Sequence, residues 1–254
     1  MSRLVWHQTR YDLLTFIRNR QARFFSVLLP VLFLVIFVGV FGNERAGPAH
    51  IKTSTYYVPG LAALAVLNAS FSTLVISITA QRELGVLKRR RATPAPAAAI
   101  VGGRALTSLV VSAVVVAIVV AIGGIAYGVE VDPGGLAPMA LSVAVGALVL
   151  ACLGYALSTA IGPADAAQPT VQGLMLPLAF ISGVYIPSVR LPATLRHVAQ
   201  VFPPEHLVAA LSRGFLPGTH GVAWGDLAIL LAWGALGLAI ALLRFRWTPV
   251  SARG

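Results

Sequence analysis

The sequence predicts an all-α polytopic membrane protein with six transmembrane helices and both termini in the cytoplasm. Of its 254 residues 57% are hydrophobic and 11% charged, and the mean hydropathy is +0.84. A soluble chain carries about twice that charged fraction. The second observation is a series of charge-free windows of spanning length, and the third is the confinement of most Lys and Arg to alternate loops.

Residues 24–43, 54–81, 105–129, 133–164 and 166–189 contain no Asp, Glu, Lys or Arg, and 227–243 forms a shorter sixth window. A bilayer core takes about 20 apolar residues per helix, so the first five windows suffice, and the sixth does with Asp226 at the interface. The spans centre on 24–42, 58–79, 106–127, 136–157, 171–187 and 224–243. Pro30, Pro163, Pro169 and Pro177 bend or interrupt them, and Gly146 and Gly154, two turns apart, permit close contact in span four.

The pieces between the spans are short. In residues 1–23, Gln8, Asp12, Thr15 and Asn19 share a polar arc, and Trp6, Leu13 and Ile17 an apolar one. Arginines interrupt the apolar side, which suits snorkelling at a headgroup surface, so this segment is expected as an interfacial helix leading into span one. The region lacks a small-residue cleavage site, and uncleaved insertion is expected. In the loop 80–104 a short helix is expected from Arg82, stopped at Thr93-Pro94, with Lys88, Arg89, Arg90 and Arg91 held against an anionic leaflet. In the segment 188–223, Pro192 and Pro204 occupy first-turn positions of two short helices, re-entrant or interfacial. None of these pieces is long enough to bury a core of its own, so residues 1–254 form a single transmembrane domain.

Orientation follows from the bases. With the N-terminus inside, fourteen of the nineteen Lys and Arg lie in the cytoplasm and Arg45, Lys52, Arg190, Arg196 and Arg213 outside. Beside Asp12, Glu83 and Asp165 the inside then carries the whole formal charge of +11. The excess is positive-inside bias, and no nucleic-acid partner is needed to explain it.

Chemistry is sparse. Cys152, the single cysteine, excludes an internal disulfide, and with His7, His50, His197, His206 and His220 scattered along the chain no metal site is expected. There is no Walker-type phosphate loop, no nucleophile elbow and no facing pair of carboxylates at depth, so the chain is expected to have no catalytic residues, to bind no cofactor and to be no enzyme by itself. Asn68, Ser72 and Thr79 form a polar stripe on span two, readable as helix contacts within or between subunits or as the lining of a substrate route. Phe202, Leu207 and Leu211 supply apolar area beyond span five, readable as an outer gate or as packing against the chain's own spans.

The residues Gln81-Arg82-Glu83-Leu84-Gly85-Val86-Leu87-Lys88-Arg89-Arg90-Arg91-Ala92-Thr93-Pro94 resemble the acidic, Gly, Leu, basic and Pro pattern of ABC type-2 transporter permeases. Val86 stands where that family commonly has Thr. The segments Ile181-Ser182-Gly183-Val184-Tyr185-Ile186-Pro187 and Phe202-Pro203-Pro204-Glu205-His206-Leu207 are similar to the family's outer signature, in the right order on the expected topology. The resemblance implies the membrane subunit of an ABC exporter, not catalytic by itself: ATP and Mg act on a separate ABC ATP-binding subunit, two copies of which serve a dimer of permeases, expected as a homodimer in the inner (plasma) membrane. It implies that Glu83, Leu84, Gly85, Val86 and Leu87 couple to that ATPase, and that an apolar or amphipathic cargo, such as a drug, antibiotic, lipid or polysaccharide precursor, passes along the subunit interface. Two other readings stand beside it. One is a non-transporting assembly or sensor protein whose outer helices bind a partner. The other is a secondary transporter, for which the spans offer no persuasive ion-coupling residue.

Overall fold

In an apolar solvent every backbone N–H and C=O must be satisfied within its own segment, so the charge-free windows fold as helices. The computed structural model describes residues 2–46, 51–91, 97–186, 191–215 and 221–245. Thr93-Pro94, Pro187, Arg190, His50 and His220 lie outside them. Helix α1 (Ser2–Arg18) is followed by α2 (Arg20–Phe41), α3 (Thr53–Glu83), α4 (Val86–Arg91), α5 (Ala97–Tyr127), α6 (Leu136–Ala160), α7 (Ala167–Ile181), α8 (Ala193–Ala199), α9 (Pro203–Ser212) and α10 (Trp224–Arg244). Strands β1 (Arg45–Ala46) and β2 (Ile51–Lys52) pair antiparallel between α2 and α3, with Arg45 opposite Lys52.

Among the described residues five helices are long and apolar enough to cross a membrane: α2, α3, α5 from Val101, α6 with the turn before it, and α10. The expected fifth span is shorter than the sequence suggested. Helix α7 has 15 residues, about 22 Å against a hydrocarbon core of about 30 Å. Pro177 lies inside it without an N–H to donate, and the chain leaves the helix at Ser182 and turns through Gly183 at φ +77°.

Helix α3 is the hub of the bundle. Of its apolar window 83% is buried, against 22%, 33%, 39% and 28% in the other four. It packs against α2, α5, α6, α7 and α9. Such crowding requires small surfaces. A Cβ on Gly60 would lie 2.7 Å from the Val184 carbonyl oxygen and 2.9 Å from that of Gly183, so the turn after α7 rests directly on the α3 backbone. Gly146 on α6 plays the same part for Leu207, whose Cδ1 would lie 2.6 Å from an added Cβ.

Two π-helical turns interrupt the spans. The turn at Phe24–Leu28 precedes Pro30, whose ring crowds the carbonyl four residues back and favours the wider i→i−5 pattern seen from Leu29 N–H to the Phe24 carbonyl. The second, Leu67–Ser72, contains neither Gly nor Pro. There the Thr73 hydroxyl and N–H both donate to the Asn68 carbonyl, and a buried hydroxyl pair, Ser70 with Ser112 on α5 at 2.9 Å, holds the turn.

Helix α1 lies across the start of α5, where Thr9 Oγ1 donates to the Gly103 carbonyl at 3.2 Å. Of its polar arc Asp12, Thr15 and Asn19 line a cavity, with Thr15 and Asn19 also exposed; of the expected apolar arc Trp6 and Ile17 face outward with Leu14, whereas Leu13 packs inward against the core. Asn19 breaks the chain and caps α2 by accepting from Ala22 N–H at 3.1 Å.

Gly60→Ala forces a methyl group into two backbone oxygens, and overpacking of this kind costs about 1–3 kcal/mol. Gly39→Ala, with nothing within 4 Å of the new atom, is the control. Thermal denaturation in detergent is expected to show a lowered midpoint for Gly60→Ala alone; equal midpoints would contradict the contact.

Candidate functional site

The end of α3 is fastened by adjacent side chains of opposite sign. Arg82 is only 3% exposed. Its guanidinium donates to the carbonyls of Ser158 at 2.8 Å and Gly162 at 2.9 Å, and to that of Ile161. These carbonyls close α6, where the chain has run out of helical N–H groups and the macrodipole is negative, so a cation belongs there. The exposed Glu83 carboxylate accepts from the Ala164 N–H, in the turn that begins α7. One dipeptide thus holds the whole connection between α6 and α7.

The expected coupling residues divide at this corner. Leu84 is 71% exposed, and Gly85 takes φ +66° to end α3. Val86 opens α4 half-buried, and Leu87 is fully buried in a small cluster with Leu74, Ile78, Ala151, Tyr155 and Ala241. Glu83 and Leu84 are therefore presented outward, and Leu87 anchors the corner to α3, α6 and α10.

A groove runs from this end between α2, α3 and α7. It consists of two adjoining cavities of about 160 and 250 Å³ that share Phe25, Asn68 and Gln172. The smaller is lined by amides and hydroxyls, among them Asn19, Ser72, Ser77 and Gln168. The larger is lined by Leu29, Phe33, Leu64, Met175, Leu176 and Tyr185, with the Phe33 and Tyr185 rings edge to face at 5.2 Å. Buried Asn68 Nδ2 and Gln168 Oε1 have no hydrogen-bond partner. No lining residue of either cavity is a Lys, Arg, Asp, Glu or His. The arrangement offers hydrogen bonds at one end and an aromatic wall at the other, and no acid or base to drive a reaction.

Of the expected stripe, Asn68 and Ser72 line the groove and Thr79 does not; its hydroxyl donates to the Val75 carbonyl at 2.8 Å. Beyond the π-turn the wall is continued by Ile76, Ser77 and Ala80, and Thr79 lies off it. Gln168 and Gln172, one turn apart, were missed; their i, i+4 spacing on α7 was the available signal. Leu207 and Leu211 are fully buried in the chain's own core, and Phe202 stacks on Trp233 at 6.5 Å.

Two other polar groups depart from expectation. Arg104, read from the sequence as a loop base, is 7% exposed and donates to Ser77 Oγ at 3.0 Å and to Gln81, beside a cavity of about 80 Å³ that also holds Asp12 and Asn19. At the opposite end of the bundle Glu205, His206 and Asp226 come together although the histidines are scattered in sequence. His206 Nδ1 lies 2.9 Å from Asp226 Oδ1 and 3.7 Å from Glu205 Oε2, and Nε2 lies 2.8 Å from the Gln200 carbonyl. Burial pushes the Glu205 carboxyl up, Asp226 adds to the shift and His206 opposes it.

Long apolar helices packed around a groove lined by amides, hydroxyls and apolar side chains are the form of a helical membrane protein. The model of the ABC-2 type transporter family matches residues 3–216, and the chain belongs to that family. It is thus the permease component of an ABC transporter, a membrane protein whose family works with an ABC ATP-binding subunit. No curated protein matches the chain.

Arg82→Ala strands buried carbonyls, each worth about 1–3 kcal/mol when unpaired, and is expected to lower the denaturation midpoint strongly. Arg82→Lys, which keeps the charge without the fork, should lie between it and the wild type. A midpoint for Arg82→Ala equal to that of the wild type would contradict the clamp.

Proposed function

We propose that this permease exports an uncharged or amphipathic, lipid- or drug-like molecule from the cytoplasm or inner leaflet, as a homodimer driven by two copies of a separate ATPase. The supporting observation is the continuity from the outward-facing Glu83–Leu84 corner, through the Arg82 fastening, to α7 and the Gln168 and Gln172 wall of the groove. ATP and Mg²⁺ act on the partner subunit. This chain's part is to have two packings that the nucleotide states of the ATPase bias unequally.

In this reading α7, with the turn after it, is the sixth membrane-crossing element. The corner at Glu83 faces the cytoplasm of an inner (plasma) membrane, and both termini lie on that side, as the distribution of Lys and Arg favours. Helix α1 lies at the inner leaflet with its outward Trp6 and Ile17 in lipid and its polar arc on the Arg104 cavity. Cargo amides and hydroxyls meet Asn68, Ser72 and Gln172, and its apolar part meets Phe33 and Tyr185. Leu207 and Leu211 serve as the outer gate only if α9 lifts from its own spans, exposing side chains worth about 1.5–3 kcal/mol each. Gate opening is therefore an energy-requiring step.

The experiment is affinity purification of the full chain in mild detergent from its native host. The wild type should retain an ATPase subunit in a 1:1 ratio. Glu83→Ala and Leu84→Ala should insert normally but retain less of it, or show reduced cargo-stimulated ATP hydrolysis, because Glu83 offers a charge-assisted contact worth about 1.5–3 kcal/mol and Leu84 an exposed apolar surface. Retention and hydrolysis equal to wild type in both variants would remove this corner from the coupling, and the absence of any ATPase from the wild-type preparation would count against the exporter.

A further inference from the structure

The Glu205, His206 and Asp226 cluster lies on α9 and the first turn of α10, apart from the groove and from the Arg82 corner. Its ligand-bearing atoms all lie within 4.8 Å of one another. A backbone carbonyl only accepts, so the 2.8 Å contact of His206 Nε2 with the Gln200 oxygen places the ring hydrogen on Nε2. In the neutral ring Nδ1 then carries the lone pair, and that lone pair is aimed at Asp226 Oδ1, 2.9 Å away, with Glu205 Oε2 at 3.7 Å. Three electron-rich atoms converge on one point, and a positive ion between them relieves their repulsion.

The surroundings have the form of a metal site. A ligating histidine commonly donates its second ring hydrogen to a backbone carbonyl, which fixes its tautomer and orientation, and Gln200 supplies that carbonyl from outside the cluster. The His206 side chain is 7% exposed and held rigidly, whereas those of Glu205 and Asp226 are 16% and 23% exposed, which leaves an entry path and room for water as a further ligand. One imidazole with two carboxylates suits a borderline first-row ion better than Mg²⁺ or Ca²⁺, which take all-oxygen shells.

We propose that Glu205, His206 and Asp226 bind one divalent transition ion of the zinc class, His206 through Nδ1. The ion joins α9 to the start of α10 and, through His206 and the Gln200 carbonyl, to the end of α8. It fastens the short helices to the last span at the end of the bundle away from Arg82.

The test is calorimetric titration of Zn²⁺ into the full chain, purified in detergent and stripped with a chelator, with the denaturation midpoint recorded with and without the ion. The wild type is expected to take up one Zn²⁺ per chain and to gain thermal stability from it. Glu205→Gln, Asp226→Asn and His206→Ala should each weaken binding at least about tenfold and remove the gain. Glu205→Gln preserves side-chain shape, so it keeps the comparison open if His206→Ala fails to fold. No saturable uptake by the wild type would overturn the proposal and leave a proton as the shared ion. So would uptake unchanged in Glu205→Gln and Asp226→Asn, which would place the metal on other residues.

Discussion

Arg82 carries its charge into a place where water is scarce, and the arrangement holds because three carbonyls at the end of α6 accept from its guanidinium. Removing a charge from water costs several kcal/mol unless hydrogen bonds replace the solvent, and the terminal carbonyls of a helix are the backbone groups best placed to do so. The neighbouring carboxylate of Glu83 uses the complementary property of the start of the next element, where N–H groups are free. Two consecutive residues of opposite sign therefore match the two ends of one interhelical turn. The spacing of α3, α6 and α7 at this end follows from that match.

The groove depends on the same constraint. Its wall on α7 begins four residues beyond Ala164, at Gln168, so its position is set by the turn that Glu83 holds. Its floor is the π-turn at Leu67–Ser72 on the most enclosed helix of the bundle. Because α3 is surrounded on nearly all sides, a displacement at its end would bear first on its neighbours. The groove lining offers amides and hydroxyls at one end and apolar and aromatic side chains at the other.

Five of the spans were legible in the sequence because charge is so expensive in hydrocarbon that its absence marks them directly. The corner at Glu83 was legible through its Gly and flanking bases. Other features were hidden for separate reasons. Arg82 counted as one more loop base, since nothing in the local sequence tells a snorkelling arginine from one aimed at a carbonyl 76 residues away. The π-turn at Leu67–Ser72 has no Gly or Pro to announce it, and beyond it the groove wall runs through Ile76, Ser77 and Ala80 and leaves Thr79 aside. The length of α7 was overestimated because the charge-free window runs on through the turn at Gly183. The meeting of His206 with Asp226, 20 residues on, depends on how α9 folds back on α10 and has no linear signature.

The central claim is that the Arg82–Glu83 fastening carries motion from the ATPase corner to the groove. It is tested by the reaction of a single cysteine at position 172 with a thiol reagent, in a chain whose native Cys152 is replaced by Ala, assembled with its ATPase. Adding ATP should change the labelling rate in the otherwise native chain. In Glu83→Gln and Arg82→Lys backgrounds that still bind the ATPase, that response should be lost while nucleotide-dependent labelling of a cysteine at the exposed position 84 persists. An undiminished response at position 172 in both backgrounds would contradict the account.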